Sequence, residues 1–198
     1  EDRLYLFRDG SLADYVYIPH IPNGLSFGRT SSDSGFFYMD PTPGKENSTG
    51  SRFISTEPDG SLESGVWIFD DSATLSLSAP GEIHYTTDGS IPDLNDPLYT
   101  GPLELSTTTL VRASAFEPDK LMSNVYTSLF VVNDPHALPI VSLSIDPAQL
   151  KRIYQSNWDV KDIEVAANLA YSDEGGGFSI DCGASVHGMT SLLISPKK

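Results

Sequence analysis

Oxygen-bearing side chains crowd one stretch of the chain, in which Asp88, Asp93, Asn95 and Asp96 lie within nine residues. Carboxylate and amide oxygens are the ligands that calcium prefers in proteins. The same residue types beside glycine and proline are typical of turns, where they accept hydrogen bonds from nearby backbone amides. The spacing does not fit an EF-hand loop, so the stretch predicts a turn-rich loop whose four side chains are candidate calcium ligands.

Aromatic residues supply the flat faces that stack on sugar rings, and the candidates for such contact are Trp67, Tyr85, Tyr99 and Trp158. Tyr85 and Tyr99 lie in alternating segments, where a position in the protein core is equally natural. Glycoside hydrolysis requires two carboxylates at a fixed separation in a cleft. No acidic pair stands out in the sequence, so these aromatic residues are candidates for ligand contact and not for catalysis.

Residues 24–28 read GLSFG and fit the G-x-S-x-G pattern of a hydrolase nucleophile. That pattern requires a strand before the serine and a helix directly after it. Two prolines precede the motif and a Ser, Thr, Asp and Gly-rich stretch follows it, so a strand with a glycine turn is expected instead. The four histidines are scattered and Cys182 is the only cysteine, which disfavours a zinc site and excludes an intrachain disulfide. The sequence predicts no catalytic residue.

The charge balance limits the partners of the chain. It has 27 acidic and 12 basic residues, a formal net charge of -15, and no cluster of Lys and Arg. Such a surface repels nucleic acid and anionic lipid, so neither is expected as a partner. No run approaches the roughly 20 apolar residues that cross a bilayer, and no membrane span is predicted. Cys182 lies in an apolar pattern and is expected to be a strand residue.

Alternating apolar residues predict short strands through most of the chain. Leu75 and Leu77 are expected to point inward, as are Val111, Ala113 and Ala115, with the other side of the sheet in water. Asp88-Gly89 predicts a tight two-residue hairpin turn after a strand that contains Tyr85. Strands at spacings near 8 to 12 residues predict a β-sandwich.

The last part of the chain predicts a strand at 138–145 and a helix at 146–154. Asp146 would cap that helix, with Pro147 at its first position. A strand pair joined by the glycine-rich segment 173–177 follows. The predicted fold class is therefore mainly β, with an immunoglobulin-like β-sandwich, one complete and one truncated, and a small α+β C-terminal segment. The predicted divisions are 1–47, 48–64 (a linker), 65–133 and 134–198.

Three segments resemble known families. Residues 85–92, YTTDGSIP, followed by residues 97–102, PLYTGP, resemble the C-terminal domain of chitobiases and β-hexosaminidases over residues 83–116. Residues 14–18, 25–29 and 40–47 resemble the second half of a lamin-tail domain, an immunoglobulin-like sandwich whose opening strands would precede Glu1. The strand and helix after Asp134, with the ending at 183–198, resemble the entry into a CotH-type kinase domain.

The CotH resemblance implies that four residues contact nucleotide phosphates in a longer parent protein: His187, Ser191, Lys197 and Lys198. Met189 and Leu192 depart from that family, which has glycine and arginine there. The acidic residues that hold magnesium in that fold would lie beyond this chain. The chain itself is therefore expected to be no enzyme and to have no cofactor, with Mg-ATP bound only in the parent.

Together, the resemblances imply a non-catalytic accessory or scaffold fragment of a secreted or surface bacterial multidomain protein. Its expected partners are neighbouring domains of the same chain, and a glycan or a surface protein. The expected location is extracellular or associated with the cell envelope. Two alternatives stay open at this point: the N-terminal part of a CotH-like ATP-dependent protein kinase, and a carbohydrate-binding module of a chitobiase-like glycosidase.

Overall fold

The computed structural model describes residues 2–22, 24–47, 49–134, 138–154 and 163–187. It divides into two compact units, one formed by Glu1–Ile54 with Asp119–Leu121 and the other by Ser55–Pro118 with Met122–Lys198. Strands dominate both units, and the predicted mainly-β, sandwich-type fold class is confirmed. The predicted divisions at residues 47, 64 and 133 stay predictions.

Unit 1 consists of two β-hairpins. Their strands are β1 (Asp2–Arg8), β2 (Ser11–Ile18), β3 (Ser26–Arg29) and β4 (Phe36–Met39). Asp9 and Gly10 connect β1 to β2 with φ angles of 50° and 80°, the left-handed conformation that a two-residue hairpin turn needs. The Arg29 side chain donates two hydrogen bonds to the Asp14 carboxylate, one at 3.0 Å, which ties β3 to β2. This pairing holds the pKa of Asp14 below its usual value.

Unit 2 contains a β-sandwich. Its strands are β5 (Asp59–Gly60), β6 (Gly65–Phe69), β7 (Ala73–Leu75), β8 (Leu77–Ser78), β9 (Glu82–Thr86), β10 (Leu103–Leu105), β11 (Thr109–Phe116) and β12 (Tyr126–Val132). One layer is a four-stranded sheet in the order β6-β12-β11-β9, and the other consists of the short pairs β10-β7 and β5-β8. β6 runs parallel to β12, and the other pairs are antiparallel.

The core of the sandwich lies between its two layers. It contains the inward-facing residues that the alternation predicted, together with Tyr126 and Phe130. Leu75, Val111 and Phe130 have no exposed surface. The predicted inward orientation of Leu75, Leu77, Val111, Ala113 and Ala115 is confirmed. Tyr126 also donates a hydrogen bond from its hydroxyl to the Leu62 carbonyl at 2.9 Å, and burial raises its pKa.

The prediction of a tight hairpin turn at Asp88-Gly89 is wrong. β9 instead pairs with the chain around Leu98, where the Tyr85 amide donates to the Pro97 carbonyl at 3.1 Å, so the connection is the long loop 87–96. Gly89 has a φ of 88°, but Asp88 does not have the positive φ that this turn type also requires. The Asp88 carboxylate accepts hydrogen bonds from the backbone amide and the hydroxyl of Ser90, and this local contact replaces the hairpin turn.

The prediction of a solvated outer face is also wrong for the four-stranded sheet. Arg112 and Ser114 point away from the sandwich core, yet Arg112 is only 6% exposed and Ser114 is fully buried. A second apolar cluster lies on this side and contains Val66, Val131 and Ala170. Ala170 lies in the three-stranded C-terminal sheet, formed by residues 140–145, 164–173 and 176–185, so this sheet packs on the outer face.

The C-terminal sheet and the helix after its first strand consist of β13 (Ile140–Ile145), α1 (Pro147–Ile153), β14 (Glu164–Asp173) and β15 (Gly176–Ser185). The strands are antiparallel, in the order β13-β14-β15. Asp146 caps α1 by accepting hydrogen bonds from the amides of Ala148 and Gln149, and Pro147 is the first helical residue. The predicted strand, capped helix and strand pair are confirmed.

The two faces of the C-terminal sheet have unusual polarity. Ser144 and Asn168 are opposite one another in the register and buried. The other face of the same sheet is apolar and partly in contact with water, because four of its large side chains are more than half exposed: Val141, Leu143, Phe178 and Ile180. Isolated apolar side chains at a surface are common, whereas a contiguous apolar patch is not.

We predict that Leu75→Ala destabilises unit 2 by about 2 to 5 kcal/mol, because it removes a fully buried side chain and leaves a cavity. Leu94→Ala is the matched control, since that leucine is 62% exposed, and its effect is expected within about 0.5 kcal/mol. Urea unfolding followed by circular dichroism measures both. Equal effects for the two variants would contradict the assigned core.

Candidate functional site

A depression of about 320 Å³ opens beside the loop 87–96. It is lined by Tyr85, Thr86, Thr87, Asp88, Asp96 and Pro97. The depression thus brings together one predicted aromatic ligand residue and two of the predicted calcium ligands. A volume of this size is at the lower end of the range of small-ligand pockets, and its open shape suits one or two polar groups of a larger ligand.

The acidic side chains of this loop accept hydrogen bonds from the loop itself. Asp88 accepts from the amide and the hydroxyl of Ser90, at 2.9 and 2.6 Å. Asp93 accepts from the Asn95 amide, and Asp96 accepts from the Asp93 amide, both at 2.7 Å. The contacts of Asp88 and Asp93 are Asx turns, and all of these hydrogen bonds order the loop without any ion.

Calcium binding at this loop stays a prediction. Within the described ranges, no three His, Cys, Asp or Glu side chains lie close enough together to hold a metal ion. The hydroxyl of Ser90, with its amide, holds the pKa of Asp88 below its usual value. Asp88 therefore presents a negative charge at the rim of the depression at neutral pH.

The base of the loop is fixed by two buried side chains that the sequence analysis did not single out. His84 lies in β9 with its Nδ1 atom 2.8 Å from the Asp96 carbonyl oxygen and its ring against Phe116. Thr86 donates from its hydroxyl to the Ser90 carbonyl at 2.7 Å. Both interactions join the end of β9 to the loop, so the depression is held by the sheet.

The predicted aromatic ligand residues have structural contacts. Trp67 packs against the sandwich core and donates from Nε1 to the Glu63 carbonyl at 2.9 Å. Tyr99 also packs against the core, and its hydroxyl oxygen accepts from the Leu77 amide at 3.0 Å. Tyr85 contacts the core and lines the depression. Glycan contact by these residues stays a prediction, and Tyr85 alone among the three lines the depression.

Of the four residues predicted to contact nucleotide phosphates, the structure describes one. His187 is exposed at the end of the last described range. The remaining residues of this group, Ser191, Lys197 and Lys198, lie outside the described residues, as does Trp158. A phosphate-binding role for all four members of the group stays a prediction.

An exposed aromatic group in unit 1 was missed. Tyr5 stacks on Tyr15 with ring centroids 6.4 Å apart, Tyr15 meets Tyr17 edge to face at 6.0 Å, and the Arg3 guanidinium lies 4.5 Å from the Tyr17 ring centre. The period-two spacing of Tyr15 and Tyr17 was a usable signal. Placing Tyr5 beside them required the register of the hairpin, in which it lies opposite Tyr15.

The G-x-S-x-G motif has the structure expected of a glycine turn. Gly24 has a φ of 84°, and Ser26 begins β3 and donates from its hydroxyl to the Met39 carbonyl at 3.2 Å. A strand therefore follows the turn where a nucleophile would need a helix. Cys182 is partly buried in β15, which confirms that it is a strand residue.

Comparison with known families assigns part of unit 2. Residues 62–127 match the family model of the chitobiase/beta-hexosaminidase C-terminal domain. The matched residues run from β6 to the start of β12 and include the depression and its loop. The chitobiase resemblance is confirmed for this stretch, which is about a third of the chain, while the lamin-tail and CotH resemblances stay predictions.

A comparison with curated proteins gives no match to the chain. In the part of the chain that the structure describes, no helix has the length and apolar character needed to cross a membrane.

We predict that Ser90→Ala raises the pKa of Asp88 toward its ordinary value, because the main hydrogen-bond donor to the carboxylate is lost. Carbon-13 NMR titration of the carboxyl group measures this shift. In the unsubstituted protein, the stability that the charged Asp88 carboxylate contributes is present above the unfolded-state pKa. It is lost as pH falls through the lower folded-state pKa. That acid-side loss should be smaller in Ser90→Ala. Ser78→Ala, at an exposed position in β8, should leave the Asp88 midpoint unchanged.

Proposed function

We propose that unit 2 is a non-catalytic support, in which the chitobiase-type sandwich holds the C-terminal sheet in a fixed position. One observation carries this proposal. The outer face of the four-stranded sheet is not free surface, because Val66 and Val131 pack there against Ala170 of β14. Partly buried Leu129 and Ile140 extend the same cluster.

This second core is the natural basis of a rigid attachment. Fully burying a valine-sized side chain contributes about 1.5 to 3 kcal/mol, so a few such contacts can hold two sheets together. The interface also buries polar residues from both sides, including Arg112 and Asn168. Buried polar groups restrict the sheets to arrangements that satisfy their hydrogen bonds.

We further propose that the chain belongs to an extracellular or cell-envelope multidomain protein of carbohydrate metabolism or attachment. The match to the chitobiase/beta-hexosaminidase C-terminal domain and the formal net charge of -15 support this context. Its partners would be neighbouring domains of the same chain, with a glycan or a surface protein. A kinase-like role, with Mg-ATP, would belong to a longer parent.

We predict that Ala170→Glu separates the C-terminal sheet from the sandwich, because it places a carboxylate in the second core. Residual dipolar couplings should fit one alignment tensor for both sheets in the unsubstituted protein and two tensors in Ala170→Glu. Ala166→Glu is the control, since Ala166 is exposed on the same strand, and one tensor is expected for it.

Three results would contradict the support role. The first is independent alignment of the two sheets in the unsubstituted protein, and the second is a single tensor that survives Ala170→Glu. The third is steady turnover of a chromogenic N-acetylglucosaminide by the purified chain at a rate above the buffer blank.

A second candidate function is contact with carbohydrate at the depression beside the loop 87–96. Tyr85 supplies an aromatic ring there, and Asp88 and Asp96 can accept hydrogen bonds from sugar hydroxyls. We predict that chitin oligosaccharides shift the amide resonances of this loop, and that Tyr85→Leu weakens the binding about tenfold or more while Leu keeps an apolar contact with the core.

The exposed aromatic group of unit 1 provides the comparison. Tyr15→Leu should leave binding at the depression unchanged, because Tyr15 is not among the residues that line it. Loss of binding in Tyr15→Leu but not in Tyr85→Leu would move the carbohydrate contact to the hairpin. Absence of any shift at saturating oligosaccharide would remove this second function.

A further inference from the structure

A buried arginine lies on the outer face of the four-stranded sheet. Arg112 is only 6% exposed, and its Nη1 atom donates to the Gly89 carbonyl at 2.9 Å. Its Nε atom has no hydrogen-bond partner among the described residues. A guanidinium that is removed from water is destabilising unless nearby negative charge and hydrogen bonds compensate for it.

Two carboxylates of the C-terminal part of the chain partly compensate for this burial. Burial lowers the pKa of Arg112, whereas the carboxylates of Asp146 and Asp181 act in the opposite direction. Asp146 follows β13, and Asp181 lies in β15, where it accepts a hydrogen bond from Asn168 at 3.0 Å. None of the ion pairs within 4.0 Å in the described ranges joins Arg112 to either acid, so both act on it from a greater distance.

The loop after β9 is held from two sides at once. Arg112 binds the Gly89 carbonyl from the sheet below, while Asp146 Oδ2 accepts a hydrogen bond from the Ile91 amide at 3.1 Å. The loop also passes close to the end of β13, since a methyl group added at Gly89 would lie 3.9 Å from the Ile145 carbonyl oxygen.

Asp146 has two separate roles, one for each carboxylate oxygen. Oδ1 accepts from the Ala148 and Gln149 amides and caps α1, and Oδ2 accepts from Ile91 in the matched domain. The cap is internal to the C-terminal segment. The second contact joins that segment to the sandwich across 55 residues of sequence.

We propose that Arg112 and the Gly89–Ile91 backbone form a docking site for an acidic strand end, and that Asp146 is the residue that fixes the orientation of the C-terminal sheet on the sandwich. This inference rests on the proposed support function and names the contact that gives it direction. The second core supplies apolar attachment, which is not directional. The amide-to-carboxylate contact and the charge near Arg112 supply the direction.

Asp146→Asn separates the two roles of this residue. Asparagine caps helices about as well as aspartate, so the contact of one oxygen with α1 can be kept. Its amide nitrogen cannot accept a hydrogen bond from Ile91, and the negative charge near Arg112 is lost. Glu174→Gln is the matched control, because it removes the same charge from an exposed position in the turn between β14 and β15.

The expected result is faster hydrogen exchange at the Ile91 amide, by about tenfold or more, in Asp146→Asn but not in Glu174→Gln. Residual dipolar couplings should show a changed or broader orientation of the C-terminal sheet. Hydrogen exchange at the amides of Val111 and Phe130, in the sandwich core, should keep the rate of the unsubstituted protein. Arg112→Met alone should loosen the same contact, and should add little in the Asp146→Asn background because the two residues act together.

Equal behaviour of Asp146→Asn and Glu174→Gln would overturn the docking site, as would additive effects of Arg112→Met and Asp146→Asn. Should Arg112→Met not fold, the comparison of Asp146→Asn with Glu174→Gln decides alone. The support function is contradicted by a different result, which is independent alignment of the two sheets in the unsubstituted protein. If the two sheets share one alignment tensor and Asp146→Asn does not change it, this inference is contradicted and the support function is not.

Discussion

The four-stranded sheet of unit 2 must be covered on both faces. β11 places Val111, Ala113 and Ala115 in the sandwich core and turns Arg112 and Ser114 to the other side, where they are also buried. A buried guanidinium costs several kcal/mol when it is left uncompensated. The C-terminal sheet removes this face from water and brings carboxylates near the charge, so the sandwich and the cover form one compact unit.

The loop after β9 also contributes to the packing of the C-terminal part of the chain on the sandwich. In sequence it is a run of turn-forming residues, and in the structure its carboxylates indeed close turns upon the loop itself. The same loop has two sides with different tasks. One side opens to solvent as a depression beside Tyr85, and the other side presents the Gly89 carbonyl and the Ile91 amide to neighbouring elements.

Local pattern was sufficient for the elements and for one face of the sheet. Period-two alternation identified the inward side of β7, β8 and β11, and Asp146 with Pro147 identified the start of α1. The local pattern gave a wrong prediction where a segment distant in sequence determines whether a side chain is buried. Arg112 and Ser114 have the residue types of a solvent-exposed face, and the C-terminal sheet that packs on this side is formed by a later part of the chain.

The candidate site was predictable in part for the same reason. The acidic loop could be located from composition, but its union with Tyr85 depended on the pairing of β9 with the chain near Leu98. Asp88-Gly89 misled because the Asx turn and the hairpin turn share their preferred residues. The tyrosine group of unit 1 depended on a cross-strand register that spacing along one strand does not contain.

The parallel pairing of β6 with β12 has a consequence for the order in which the chain can fold. β12 is the strand to which β6 is hydrogen-bonded in the sheet, and about 60 residues separate the two in sequence. During synthesis, Val66 and Trp67 leave the ribosome well before their hydrogen-bonding neighbour exists. Closing so long a segment is entropically slow, so the nascent sandwich passes through an interval with an unpaired apolar strand, which is the kind of segment that chaperones bind.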